Sequence, residues 1–161
     1  YTARLPLDSA GLGPPQLESV TLLRNAQGAP FPKRQQAGPA DEVPDPEAVR
    51  WLRPGQVLWA SEGWAQHGMG PALHHSRMHD GALLRSLALP PGHAPAPGAG
   101  LGVRDNLGFE GLALSPDQRS AWVALENALL QDGPSPRVGA AGGPCHCRTL
   151  SSSAASCSCF S

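Results

Sequence analysis

Six carboxylates stand at matching points of two short segments. Asp45 and Glu47 enter the first and Glu62 leaves it; Asp105 and Glu110 enter the second and Glu126 leaves it. A shift of 63 residues lays Glu47 on Glu110, Ala48 on Gly111, Val49 on Leu112 and Trp59 on Trp122, and one residue of slip brings Glu62 to Glu126. Carboxylates gathered within a few ångströms repel one another, and a hard cation such as Ca²⁺, which takes about 6 to 8 oxygen ligands, is the common way to neutralise them. A carboxylate beside such an ion can also take a proton from water. The plainer reading is that each acid caps a turn or accepts backbone N–H groups at a strand end. That reading explains any single acid more easily than it explains the matched set.

The other reactive side chains have simpler readings. In Leu73-His74-His75-Ser76-Arg77-Met78-His79, a strand sends His74 and Ser76 to one face and His75 and Arg77 to the other, which splits the cluster into solvated strand residues. Neither Ser61 nor Ser115 lies in a Gly-x-Ser-x-Gly nucleophile elbow. Ser115 opens the turn Ser115-Pro116-Asp117-Gln118, with Pro at the first central position. Trp59 and Trp122 recur, so packing between neighbouring sheets is the expectation for both, while Trp51 and Trp64 are free to line a pocket built by loops. Cys145, Cys147, Cys157 and Cys159 form two Cys-x-Cys pairs, able in principle to ligate zinc or copper or to form disulfides, but structural zinc sites space paired cysteines by about two to four residues.

The elements that must position the carboxylates are strands. Glu47 to Leu52 and Val57 to Ser61 flank the turn Arg53-Pro54-Gly55-Gln56, a β-hairpin. A loop through His67-Gly68-Met69-Gly70-Pro71 leads to a third strand, Ala72 to Met78, the tight turn His79-Asp80-Gly81, and a fourth strand, Ala82 to Leu89. The hairpin then recurs as Glu110 to Leu114 and Ser120 to Leu125. Upstream, alternation in Thr2 to Leu7 and in Val20 to Leu23 predicts two further strands around the Gly11-Leu12-Gly13-Pro14-Pro15 turn. Residues 25–46, rich in Pro and Gly, read as a long surface connection.

A four-stranded unit that repeats with long loops is the blade of a β-propeller. The expected fold is therefore all-β, a partial β-propeller of about one and a half to two blades over residues 1–133. Closure of such a ring takes at least about four blades, so the expectation is a fragment of a larger domain. Residues 134–161 read as a disordered or aberrant tail: all four cysteines lie there, no acid follows Asp132, and Ser, Gly and Ala replace the strand pattern. A shift of reading frame in the coding DNA is the leading explanation for that change.

Composition agrees with a β architecture. Nineteen glycines and eighteen prolines in 161 residues exclude a helical bundle. Twelve basic residues, eleven of them Arg, stand against thirteen acids, so the formal charge of −1 supplies no footprint for nucleic acid or an anionic membrane surface. No window approaches the roughly 18 to 20 uninterrupted apolar residues of a membrane span.

Several of these motifs carry a resemblance. Asp45-Pro46-Glu47-Ala48-Val49, Trp59-Ala60-Ser61-Glu62-Gly63, Asp80-Gly81, and above all Asn106-Leu107-Gly108-Phe109-Glu110-Gly111-Leu112-Ala113-Leu114-Ser115-Pro116-Asp117 with Ala124-Leu125-Glu126-Asn127, resemble the phytase-like family described as having esterase-like activity. The likeness runs from Tyr1 to about Gly133, the first part of a domain about twice as long. It implies a secreted or periplasmic, propeller-like hydrolase acting on a small-molecule phosphoester or other ester, with calcium as cofactor. It implies Glu47 and Glu110 as catalytic groups, Asn106 as a substrate ligand, and Asp45, Glu62 and Glu126 as metal ligands. The Arg-His-Gly-x-Arg core of histidine-acid phytases is absent. A non-catalytic propeller module with an acidic metal-binding mouth, an inactive truncated product, and a sugar-lactone hydrolase of similar architecture are the competing functions.

Overall fold

A computed structural model of the chain describes residues 1–136, 138–139 and 147–151. Eleven strands and four single-turn 3₁₀ segments make up its regular structure, and every pairing is antiparallel. The centrepiece is a four-stranded meander of β5 (Pro46–Arg53), β6 (Gln56–Ser61), β7 (Ala72–Arg77) and β8 (Leu83–Leu87), hydrogen-bonded in chain order. These are the four consecutive strands expected from the alternating pattern, each end within two residues of its expected place. The β7–β8 turn is fixed by Asp80, whose carboxylate accepts two bonds from Arg77 Nε at 3.0 and 3.1 Å, one from Arg77 Nη2 at 2.6 Å and one from the Ala82 N–H at 3.1 Å.

The repeat unit forms β9 (Phe109–Leu114) and β10 (Ser120–Leu125). It packs against the meander, β9 lying alongside β5 and β6. Leu58, Ala60 and Leu73 of the first sheet meet Phe109, Leu112, Ala121, Val123 and Leu125 of the second, with Val103 and Leu129 closing the cluster from the loops. Side chains alternate along each strand, so Leu58 and Ala60 turn inward while Trp59 points to the opposite face of its sheet. Trp59 is 1% exposed, yet it is covered by Phe31, edge-on at 6.1 Å, and by His74 at 4.4 Å. The expectation that Trp59 fills the space between the sheets is thus corrected: a loop residue covers it instead. Its counterpart Trp122 is only half-buried.

Trp122, between the buried Ala121 and Val123, points away from the core as Trp59 does; what the hairpin turns alter is the pairing. Val49 pairs with Trp59 across β5–β6, but Leu112 pairs with Val123 and Trp122 with Ala113 across β9–β10. Two residues join the first pair of strands and five join the second. Relative to β5, β9 is therefore displaced by one position, which turns Leu112 into the core where its counterpart Val49 lies exposed.

The N-terminal region departs further from its expected form. β1 (Thr2–Arg4) pairs with β4 (Gln16–Ser19), and β2 (Leu7–Asp8) with β3 (Gly11–Leu12), so the two expected strands are a nested ribbon of four. The expected strand at Val20–Leu23 is absent: that segment instead runs over the meander, where the Phe31 N–H donates to the Leu23 carbonyl and the Arg24 N–H to the Gly81 carbonyl. His74, expected to be a solvated strand residue, is 1% exposed, with Nδ1 2.9 Å from Ser86 Oγ and Nε2 3.2 Å from Glu42 Oε1. The predicted split of faces holds, since Ser76 is buried with His74 while His75 and Arg77 stay half-exposed.

Within the stretch expected to be a tail, β11 (Cys147–Ser151) adds a third strand beside β10. Cys145, Cys157 and Cys159 lie outside the described residues, and with them both Cys-x-Cys pairs as candidate ligands. Among the described residues no helix is long and apolar enough to cross a membrane.

Candidate metal and catalytic centre

The loop ends of the two hairpins meet. Glu62 follows β6 directly, and its N–H donates to the Asp45 carbonyl at 2.9 Å, which holds the segments entering and leaving the first hairpin together. Ser61, 1% exposed, supports the same junction: its Oγ accepts from the Asp45 N–H at 2.9 Å and from the Gly63 N–H at 3.2 Å. This is a positioning role, not that of a nucleophile. From the second hairpin, Gly108 reaches across to donate its N–H to Glu62 Oε1 at 3.0 Å, and its carbonyl accepts the Glu126 N–H at 2.9 Å.

Five of the six site residues expected from sequence are thereby brought together. Asp45, Glu47 and Glu62 can each offer an oxygen within 4.8 Å of the others, and so can Glu62, Glu110 and Glu126. Glu62 belongs to both groups and is 4% exposed, whereas Glu47, Glu110 and Glu126 face solvent. Asn106 is exposed in the turn before Gly108, with φ at +56°. Asp105, the sequence counterpart of Asp45, is also outside the groups: the backbone N–H and the side-chain amide of Gln66 both donate to its carboxylate.

Charge crowding shows in the acidities. Burial raises the Glu62 pKa above its ordinary 4.5; the Gly108 N–H works against this, and Asp45, Glu47 and Glu126 add to the rise. The Glu110 pKa is also raised, through desolvation first and then the charges of Glu47, Glu126 and Glu62, helped by a hydrogen bond with Glu126 that favours a proton on Glu110. Acids in this condition either hold protons or take a cation. An all-oxygen donor set with one buried member suits a hard divalent ion such as calcium.

Two further features were not legible as site components. Arg34 ion-pairs with Asp45 at 2.6 Å and lies 5.2 Å above the Trp64 ring, so one cation from the long connection already sits at the acidic end. No repeat marks Arg34, and only the fold returns it to Asp45. Beside Glu47 there opens a cleft of about 330 Å³, walled by Val49, Val57, Trp59 and Leu23. Trp64 lies under Arg34 and against His67 rather than in that cleft, and Trp51 is 53% exposed on β5.

A family model described as Phytase-like, esterase-like activity of phytase, matches residues 1–153. The match continues past Gly133, where the resemblance was expected to end. No curated protein and no solved structure matches the chain.

Proposed function

Since the chain belongs to the phytase-like family, described by its esterase-like activity, we propose that it is part of a secreted or periplasmic hydrolase of small-molecule phosphoesters or other esters. The observation that carries this reading is the meeting of carboxylates from two hairpins around the buried Glu62. The two packed sheets, each led by an inner strand that brings an acid to the same end, are read as successive blades of a β-propeller, with residues 1–133 as its propeller segment.

Asp45, Glu62 and Glu126 are the proposed ligands of a divalent ion. Calcium bound there would neutralise the carboxylates and draw charge from a phosphoryl or carbonyl oxygen. Glu47 and Glu110, both exposed, complete the two groups. A carboxyl held above its ordinary pKa is a better proton acceptor from water than a free carboxylate, which suits Glu110, with Glu126 sharing the proton. Glu47 meets the substrate from the cleft side, where the apolar wall suits the organic part of an ester. Asn106 is proposed as a hydrogen-bonding substrate group on the exposed turn.

The test is hydrolysis of p-nitrophenyl phosphate and p-nitrophenyl acetate with calcium or with chelator, using Glu110→Gln and wild-type protein. Calcium-dependent hydrolysis that Glu110→Gln abolishes while calcium still binds is the expected result. Calcium binding with no hydrolysis of either ester would instead identify a binding module with an acidic mouth.

A further inference from the structure

The opposite end of the same two sheets carries the opposite charge. The end of β5 supplies Arg53, β8 supplies Arg85 and the β9–β10 turn supplies Arg119, and the three line one cleft between the sheets, together with His75. Leu58 and Ala121, both buried, lie at its base, and its volume is about 60 Å³. In sequence these arginines are isolated; only the alignment of the two hairpin turns gathers them.

Among the described residues no carboxylate lies within 4 Å of any of the three guanidinium groups. Asp117, on the same turn as Arg119, is already engaged: it accepts from Ser115 Oγ at 2.6 Å and from the Arg119 backbone N–H at 3.0 Å. His75 Nε2 is 2.7 Å from Gln56 Oε1, which anchors the ring at the cleft wall. Burial, followed by the charges of Arg53 and Arg85, lowers the His75 pKa from 6.5. The imidazole thus registers the positive charge of Arg53 and Arg85, while Asp117 offsets part of the charge of Arg119.

We propose that this cleft binds a tetrahedral oxyanion, the phosphate of a phosphorylated small molecule or the free ion, held by Arg53, Arg85 and Arg119. A guanidinium presents a planar fork of N–H donors that matches phosphate oxygens two at a time. An apolar floor strengthens such contacts by excluding water. The volume accommodates one phosphate-sized group and leaves any attached organic part in solvent. The cleft is distinct from the carboxylate centre: Glu110 and Leu114 lie towards opposite ends of β9, about 13 Å apart at ~3.3 Å per residue. The proposal therefore stands without the hydrolase reading.

Isothermal titration with inorganic phosphate, in chelator so that no metal at the acidic end can recruit the anion, tests it directly. A parallel titration with a sugar phosphate separates the two sources: tighter binding of the ester identifies a phosphorylated ligand, and equal binding identifies the free ion. Saturable binding that weakens at least tenfold in the Arg85→Gln/Arg119→Gln double variant is the expected result. Both arginines are exposed, and an unchanged thermal melt confirms that the variant is folded. No saturable heat, or equal heats in the variant and the parent, would overturn the proposal.

Discussion

Gly108 rests directly on Glu62. Its N–H bonds the carboxylate, and a Cβ built at Gly108 would lie 2.7 Å from the Glu62 carbonyl oxygen and 2.9 Å from its Cγ. The second hairpin can approach the buried acid only because this residue has no side chain. The same peptide accepts the Glu126 N–H, so one glycine sets the spacing between two carboxylates.

Gly108→Ala is expected to destabilise the protein by about 1–3 kcal/mol, the usual cost of overpacking a tight site, and to weaken calcium binding as well. Urea denaturation and calcium titration on the same variant measure both effects. A loss of stability with unchanged calcium affinity would detach this contact from the centre.

Glu62→Gln separates the cost of the buried charge from its use. In chelator the variant should melt at or above the wild-type temperature at neutral pH, because a crowded carboxylate has been neutralised. With calcium, the wild type should gain stability by binding to its native state, and the variant should lose most of that gain.

The raised acidities also fix a sign for pH. Folded Glu62 and Glu110 bind protons more tightly than the unfolded chain does, so without calcium stability rises as pH falls through their folded pKa values towards 4.5, where the gain is complete. Asp80 and Asp117 act the other way, since both pKa values are lowered from 3.8 by hydrogen bonds, from Arg77 and Ser115 respectively; their contribution is lost only as pH falls below 3.8. Melts across this range in chelator should show a rise before the acid collapse. Calcium should flatten the rise, because protons and metal compete for the same oxygens.

Trp59 offers a test of the loop-covered face. Its Nε1–H donates to Ser76 Oγ at 3.0 Å, and Ser76 is fully buried. Ser76→Ala should cost about 1–3 kcal/mol by leaving that donor unpaired. Trp59→Phe in the Ser76→Ala background should add less than it does alone, since the shared bond is already gone.

Gly81 fastens residues 20–31 to the meander. Its φ is +72°, and a Cβ would collide with the Leu22 carbonyl oxygen. In Gly81→Ala the segment must lift, and trypsin should cut after Arg24 faster than in the wild type, because Arg24 Nε now donates to the Asp80 carbonyl at 3.0 Å. Unchanged cleavage would show that the contact does not hold the segment.

Strands with alternating side chains between Pro/Gly turns were legible because period and punctuation are local properties. The acids at the hairpin mouths were legible through their repeat: of its six carboxylates, five gather in space, Asp45, Glu47, Glu62, Glu110 and Glu126, while Asp105 is diverted by Gln66. What the residues did not disclose depended on distant partners. Leu112 faces the core where its counterpart Val49 faces outward, because a longer turn displaces one strand. His74 is buried because Phe31 covers its neighbour Trp59, and nothing within strand β7 signals that cover. Arg53, Arg85 and Arg119 are ordinary surface arginines until two turns align.

The carboxylates gather at one end of the paired sheets and the arginines at the other, within a chain whose net charge is only −1. That near-zero total conceals an electric dipole running along the strands. Two copies meeting end to end would attract in dilute salt, and the attraction would fade once the screening length falls to about 10 Å, near 0.1 M. Ionic strength, more than concentration alone, then becomes the variable that keeps the molecules apart.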